Sequence, residues 1–321
     1  YNRDMQKVFS GSPEAIDENG VLLGIASDDL QYETNADEDI VAFVQERDLW
    51  LYSRKSGELY QVFSFSDAEG SDARSRNDQH AVRIISMDNS GNLAFAVYGY
   101  MNRGTHEGEV GVGIYYFNAA DNVIEEKAFI PSTKSFAIAE DELGKMVYYN
   151  HSEKMLYVLA EGTLYRIDLD RNEQEVLAGN LTEDQYTVSD DGRQMAYQTD
   201  DSAAEIQVMN LESGDSYQIK AENQETVRPL GFINSDFIFG KIKAEDAGQT
   251  VSGEAVTPMY AVEIVNSKNE QVAEYSFTDS GIYTTDILID GNLLTLNRVQ
   301  KDGSVYSATD QEYITNNEER R

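Results

Sequence analysis

Short runs of β-branched and aromatic residues, each closed by a polar or glycine-bearing turn, recur along the chain. They carry the period-2 grammar of strands rather than the 3.6-residue stripe of helices. "DIVAFVQERDLWLYSRKSGELYQVFSF" (39–65) predicts three strands, two of them joined at Lys55, Ser56 and Gly57. "KMVYYNHSEKMLYVLAEGTLYRIDLDRNEQEVL" (145–177) predicts four, separated by polar turns at 150–153, 161–162 and 171–172. Comparable opening turns fall near Asp37, Ser90, Glu153, Asp191, Ser235 and Gly291. Five intervals then average about 51 residues, within the range of propeller blades. Two intervals are long: one carries the stretch 98–117, and the other carries "KAEDAGQTVSGEAVTP" (243–258), which reads as a long loop.

The expected fold is therefore all-β: a six-bladed β-propeller of four-stranded antiparallel sheets, closed so that few strand edges remain unpaired. The last unit supplies about three strands. Residues 1–30, with Gly20 to Ser27 as the strand candidate, are expected to close the ring beside the last blade. Only 4 prolines occur and no Gly/Ser tract interrupts the pattern, so residues 1–321 are expected to form one domain.

The stretch Val188 to Asp215, "VSDDGRQMAYQTDDSAAEIQVMNLESGD", resembles the repeat of TolB-like and WD40-like β-propellers. The matching elements are the turn Ser189, Asp191, Gly192 and the strand end Val208, Met209, Asn210, Leu211. "SMDNSGNLAFAVYG" keeps Ser86, Asp88 and Gly91, whereas "INSDFIFG" has lost the turn glycine. The resemblance implies a fold and little chemistry, because propellers host enzymes, sensors and docking platforms alike.

Charge narrows the partners. A net charge of −33 repels phosphate backbones and anionic headgroups, which argues against nucleic acid and against direct membrane binding, and favours a monomer. No cysteine occurs, which removes disulfides, thiolate metal sites and cysteine nucleophiles, and suits an extracytoplasmic protein. The chain opens at Tyr1 and closes on Glu318, Glu319, Arg320 and Arg321. It is expected to be a fragment or mature form, secreted or tethered in its full-length context. No apolar run is long enough to span a membrane.

The densest chemistry lies in "YGYMNRGTHEGEVGVGIYYF" (98–117), with Arg103, His106, Glu107 and Glu109 within seven residues. Gly108, Gly111 and Gly113 reverse the dinucleotide fingerprint and lack a lysine partner, so the stretch predicts a hairpin with a long exposed tip, not a phosphate site. Those four residues, with Trp50, are the candidate ligand or partner contacts; Trp50 reads either as interblade packing or as a stacking platform. Neither HExxH nor G-x-S-x-G is present, and no catalytic residue is assigned. "DLDRNEQE" (168–175) starts like a calcium loop but lacks the glycine at its sixth position. It reads as a hairpin turn; no cofactor is expected, with calcium left open. The expected function is non-catalytic docking or sensing of a protein, peptide or envelope component. The alternative is a carbohydrate-active propeller with carboxylates near its central channel.

Overall fold

The structure, a computed structural model, describes residues 31–45, 47–64, 80–101, 105–132, 146–171, 173–199 and 203–315, and the backbone of 6–10. Strands joined by short turns are their main element, with 3-10 turns at Ala244–Asp246 and Thr278–Ser280. Among the described residues no helix is long and apolar enough to cross a membrane. The chain divides into two compact units, residues 1–161 with 165–175, and residues 162–164 with 176–321.

In the first unit, β1 (Gln6–Ser10), β2 (Tyr32–Thr34), β3 (Ile40–Gln45), β4 (Asp48–Ser53) and β5 (Glu58–Phe63) form a sheet ordered β1-β5-β4-β3-β2. Residues 6–10 thus pair with β5 of the first sheet, while residues 20–27, expected to complete a blade, lie outside the described residues. The second sheet is the antiparallel meander β6 (His80–Met87), β7 (Leu93–Tyr100), β8 (Val110–Asn118) and β9 (Val123–Pro131). A third meander follows in β10 (Met146–Asn150), β11 (Met155–Ala160), β12 (Thr163–Asp168) and β13 (Glu173–Ala178), and the division between units runs through it. The first two sheets pack face to face. Leu49, Leu51 and Val62 meet Leu93, Phe95, Val97, Tyr115 and Phe117, all buried.

The second unit repeats the plan. β14 (Tyr186–Val188), β15 (Gln194–Gln198), β16 (Glu205–Asn210) and β17 (Ser216–Lys220) make one four-stranded meander. β18 (Glu225–Ile233) and β19 (Asp236–Lys243) pair with β22 (Ala261–Val265) and β23 (Gln271–Tyr275) in the next. This middle sheet buries both faces, and the period of two shows how: Phe237 and Phe239 join a cluster with Ala196, Ile206 and Val208, while the intervening Ile238 joins Ile287, Leu294 and Leu296. A continuous apolar run, "FIF", is what such a doubly covered strand requires.

The opening turns recognised in the sequence are the hairpins β2–β3, β6–β7, β10–β11, β14–β15, β18–β19 and, in the last sheet, that between Ile282–Asp290 and Leu293–Asp302. Asp88 Oδ1 accepts the Ser90 and Asn92 amides at 2.9 Å each, and Gly91 takes φ 84°. In the repeat that opens at Ser189, the Asp191 carboxylate accepts the Ser189 hydroxyl at 2.6 Å and the Arg193 amide at 3.0 Å. Where "INSD" lost its glycine, Asn234 takes the left-handed conformation instead, at φ 57°; asparagine is among the few residues that tolerate it.

Residues 243–258 are not a loop. They form the short hairpin β20 (Gly248–Thr250) and β21 (Ala255–Val256), and β20 pairs in parallel with β26 (Val305–Ala308) of the last sheet. That sheet is built on β24 (Ile282–Asp290) and the long β25 (Leu293–Asp302). β26 and β27 (Glu312–Thr315) share the other edge of β25, along Val299–Asp302 and Leu293–Leu296 respectively. The insertion is held by Asp246, only 7% exposed, which receives Lys301 Nζ at 2.7 Å and the Tyr283 hydroxyl at 3.2 Å. The Tyr306 hydroxyl also donates to the Asp246 carbonyl at 2.5 Å. A side chain at Gly248 would collide with the Ser304 carbonyl and the Tyr306 ring. A glycine-rich, polar sequence hid this strand because close approach and buried charge, rather than apolar alternation, fix it in place.

Candidate functional site

The tip between β7 and β8 is a closed structure. Met101, buried in the core of the first unit, donates its amide to the Glu109 carbonyl and accepts the Gly108 amide, both at 2.8 Å. Glu109 in turn donates its amide to the His106 carbonyl at 3.0 Å. Arg103 lies outside the described residues. The His106 ring stacks on Phe129, with centroids 3.8 Å apart and planes 8° from parallel. Its Nε2 lies 2.7 Å from Glu126 Oε1, and its Nδ1 3.7 Å from Glu109 Oε2. Glu107 is exposed, and the Glu109 side chain is 54% exposed. His106 is therefore half-buried and pinned, while the neighbouring Glu107 and Glu109 are exposed.

Phe129 and Glu126 are three residues apart, which on a regular strand would place them on opposite faces. The β8–β9 ladder skips a residue at Lys127, pairing Ile114 with Ala128 but Tyr115 with Glu126. This bulge resets the alternation so that both side chains reach His106. Gly111 completes the arrangement, since a Cβ there would lie 2.7 Å from the Phe129 ring and 2.5 Å from the Ile130 carbonyl. Gly111 thus serves close strand approach, whereas Gly108, at φ 94° with open space around it, serves the turn. Neither the bulge nor the Phe129 stack carries a sequence signal.

Trp50 sits apart from the tip. It pairs across strands with Phe43 and, with Tyr52, packs half-buried on Val41, Phe43 and Leu59. Asp168 is occupied as a turn former: its Oδ1 accepts the amides of Asp170 at 3.0 Å and Arg171 at 2.9 Å. Among the described residues no three His, Asp or Glu side chains gather as a metal site.

One constellation escaped the sequence because its members are 65 positions apart. Ser86, only 4% exposed, lies 2.8 Å from His151 Nε2 and donates its hydroxyl to the Tyr149 carbonyl at 2.7 Å. The hydroxyl has one proton, already committed to Tyr149, so Nε2 must be the protonated nitrogen that donates to Ser86. His151 then cannot act as a base toward this serine, and the pair is structural rather than a nucleophile with its base. His151 Nδ1 is buried without a partner among the described residues. Burial depresses the basicity of this ring, against smaller opposing contributions from its hydrogen bond to Ser86 and the charge of Asp88.

Because the folded-state pKa lies below the ordinary value of 6.5, the unfolded chain takes up the proton first. The contribution of His151 to stability is present above that value and is lost as pH falls below it, by at most about 1.4 kcal/mol per pH unit. Urea unfolding across this range should show His151→Gln with a flatter acid limb than the parent protein; parallel limbs would show that the ring is not held neutral.

No known protein family matches the sequence, and no curated protein matches it. Solved structures similar to the chain are of β-propeller type. A chain of the mitotic checkpoint complex is 12% identical, over 96% of this chain and 84% of that one, with a TM-score of 0.37. Dipeptidyl peptidase 4 of Porphyromonas gingivalis is 10% identical, over 87% of this chain and 45% of that one, at 0.43. Dihydro-heme d1 dehydrogenase NirN in complex with DHE is 11% identical, over 89% and 56%, at 0.34. The chain thus spans about half the length of the latter two.

Proposed function

We propose that this protein is a non-catalytic docking module of the extracytoplasmic space, built as a six-bladed propeller of TolB-like repeats, whose tip at 105–109 engages a cationic segment of a protein or peptide partner. The observation that carries the reading is the clamp on His106. Phe129 and Glu126 fix the ring, so Glu107 and Glu109 are presented from a tip that loses little conformational freedom on binding. The net charge of −33 steers cationic partners toward such a surface and repels anionic ones. The absence of cysteine suits an oxidising compartment. Six sheets among the described residues, two in the first unit, three in the second and one divided between them, support the six blades of the proposed ring.

The test separates the tip from the general acidic field. Peptides rich in lysine and arginine are selected against the parent protein and their affinities remeasured with Glu107→Gln/Glu109→Gln. That variant removes two of 58 acidic residues, so attraction by net charge alone predicts almost no change. Docking at the tip predicts at least about tenfold weaker binding, roughly 1.4 kcal/mol, with stability altered by no more than about 0.5 kcal/mol. Equal affinities would refute the tip as the contact.

A further inference from the structure

Three turns of the second unit surround a cleft of about 480 Å³, a size typical of small-molecule sites. They are the β16–β17 turn bearing Ser213, the β18–β19 turn bearing Ser235, and the β22–β23 turn bearing Ser267 and Lys268. Val208 of β16 and the ring of Tyr217 on β17, cross-strand partners on one face of the sheet, contribute an apolar wall.

The walls are held before any ligand arrives. Asn210 Oδ1 accepts the amides of Glu212 and Ser213 at 3.0 Å each. Asn266 Oδ1 does the same for Lys268 at 2.9 Å and Glu270 at 3.0 Å. Asn269 Nδ2 reaches across to the Gln218 carbonyl at 3.4 Å, tying the third turn to the neighbouring sheet.

Six of the polar side chains lining the cleft are unused. Among the described residues, the side chains of Gln194, Ser216, Tyr217, Ser235, Ser267 and Lys268 make no hydrogen bond within the protein. Hydroxyls and an amide both donate and accept, and burial pushes the Tyr217 phenol up to about 12, so it remains a donor near neutrality. Lys268 is balanced by Asp215, whose carboxylate already receives the Ser213 hydroxyl at 2.9 Å. The lining therefore carries no net charge, inside a protein whose overall field rejects anions.

A ligand suited to this cleft has hydroxyls at its edge, an apolar face and no charge. We propose that the cleft is a binding site for a neutral saccharide, its ring face against Val208 and Tyr217 and its hydroxyls on the serine-bearing turns. This site is independent of the tip in the first unit and requires no catalytic step.

Amide chemical shifts of the full chain, followed while glucose, N-acetylglucosamine, maltose, cellobiose or diacetylchitobiose is added, test the proposal. At least one sugar should give saturable shifts at Ser216, Ser235 and Lys268. Tyr217→Phe keeps the ring and removes the hydroxyl, and should weaken that sugar at least about fivefold with an unchanged spectrum elsewhere; Ser235→Ala should weaken it by a similar factor. The proposal falls if none of the five sugars shifts these amides, if both variants bind as the parent does, or if galacturonic acid binds more tightly than every neutral sugar.

Discussion

Phe95→Ala is expected to lower the stability of the first unit by about 3–5 kcal/mol, the range for emptying a fully buried aromatic site. Phe95 is 0% exposed, stacks on Tyr115 with centroids 5.5 Å apart, and lies 5.4 Å from the Phe63 ring. It stands where the first and second sheets interdigitate, so neither sheet can close the void without losing register with the other. Urea unfolding read by fluorescence measures the loss, because the chain's single tryptophan, Trp50, belongs to this unit. A shift below about 1 kcal/mol would mean the aromatic cluster is not the core described. Far-ultraviolet dichroism reports both units, and coincidence of the two transitions is what the proposed closed ring requires.

Asp246→Ala is the second large effect, expected at about 2–3 kcal/mol, in keeping with the loss of hydrogen bonds to a charged group and the exposure of their partners to poor solvation. The Lys301 ammonium, raised in basicity chiefly by its bond to Asp246, loses its counter-charge, and Tyr283 loses an acceptor. The Tyr306 bond to the backbone carbonyl survives, so the 3-10 turn should persist while its anchoring to the last sheet weakens. Hydrogen exchange localises the effect: the amides of Gln249, which donates to the Ser304 carbonyl across the parallel ladder, and of Thr250, which donates to the Glu254 carbonyl within the same hairpin, should exchange faster. If their protection is unchanged, the carboxylate is not what holds the insertion.

How far these features could be read from the chain depends on what fixes them. The opening turns are visible because aspartate, asparagine and glycine at set offsets supply side-chain acceptors and left-handed backbone locally. That is why Asp88–Gly91 and Asp191–Gly192 are recognisable without any tertiary knowledge. The runs through Phe237 and Phe95 are likewise visible, since burial on one or both faces leaves an apolar signature. The clamp on His106 was half legible: the tip and its carboxylates are in the sequence, but the bulge at Lys127 that brings Glu126 and Phe129 to one side is a matter of ladder pairing. The Ser86–His151 contact and the cleft between three turns join residues from different sheets, which no local pattern records. β20 was missed for a related reason, because its partner Val305 follows only after two further sheet segments have been threaded.

That delayed partner has a consequence for how the chain is made. As synthesis proceeds from the N-terminus, Gly248–Thr250 leaves the ribosome well before Val305–Ala308, so its outer edge waits unpaired while the rest of the preceding sheet can already assemble. Parallel pairing across so long a separation is slow, because chain entropy is lost before the contacts that reward it form. The final sheet is therefore the last part of the second unit to become native. Until then the nascent chain exposes a strand edge whose acidic flank, Glu245 and Asp246, is its guard against pairing with another copy.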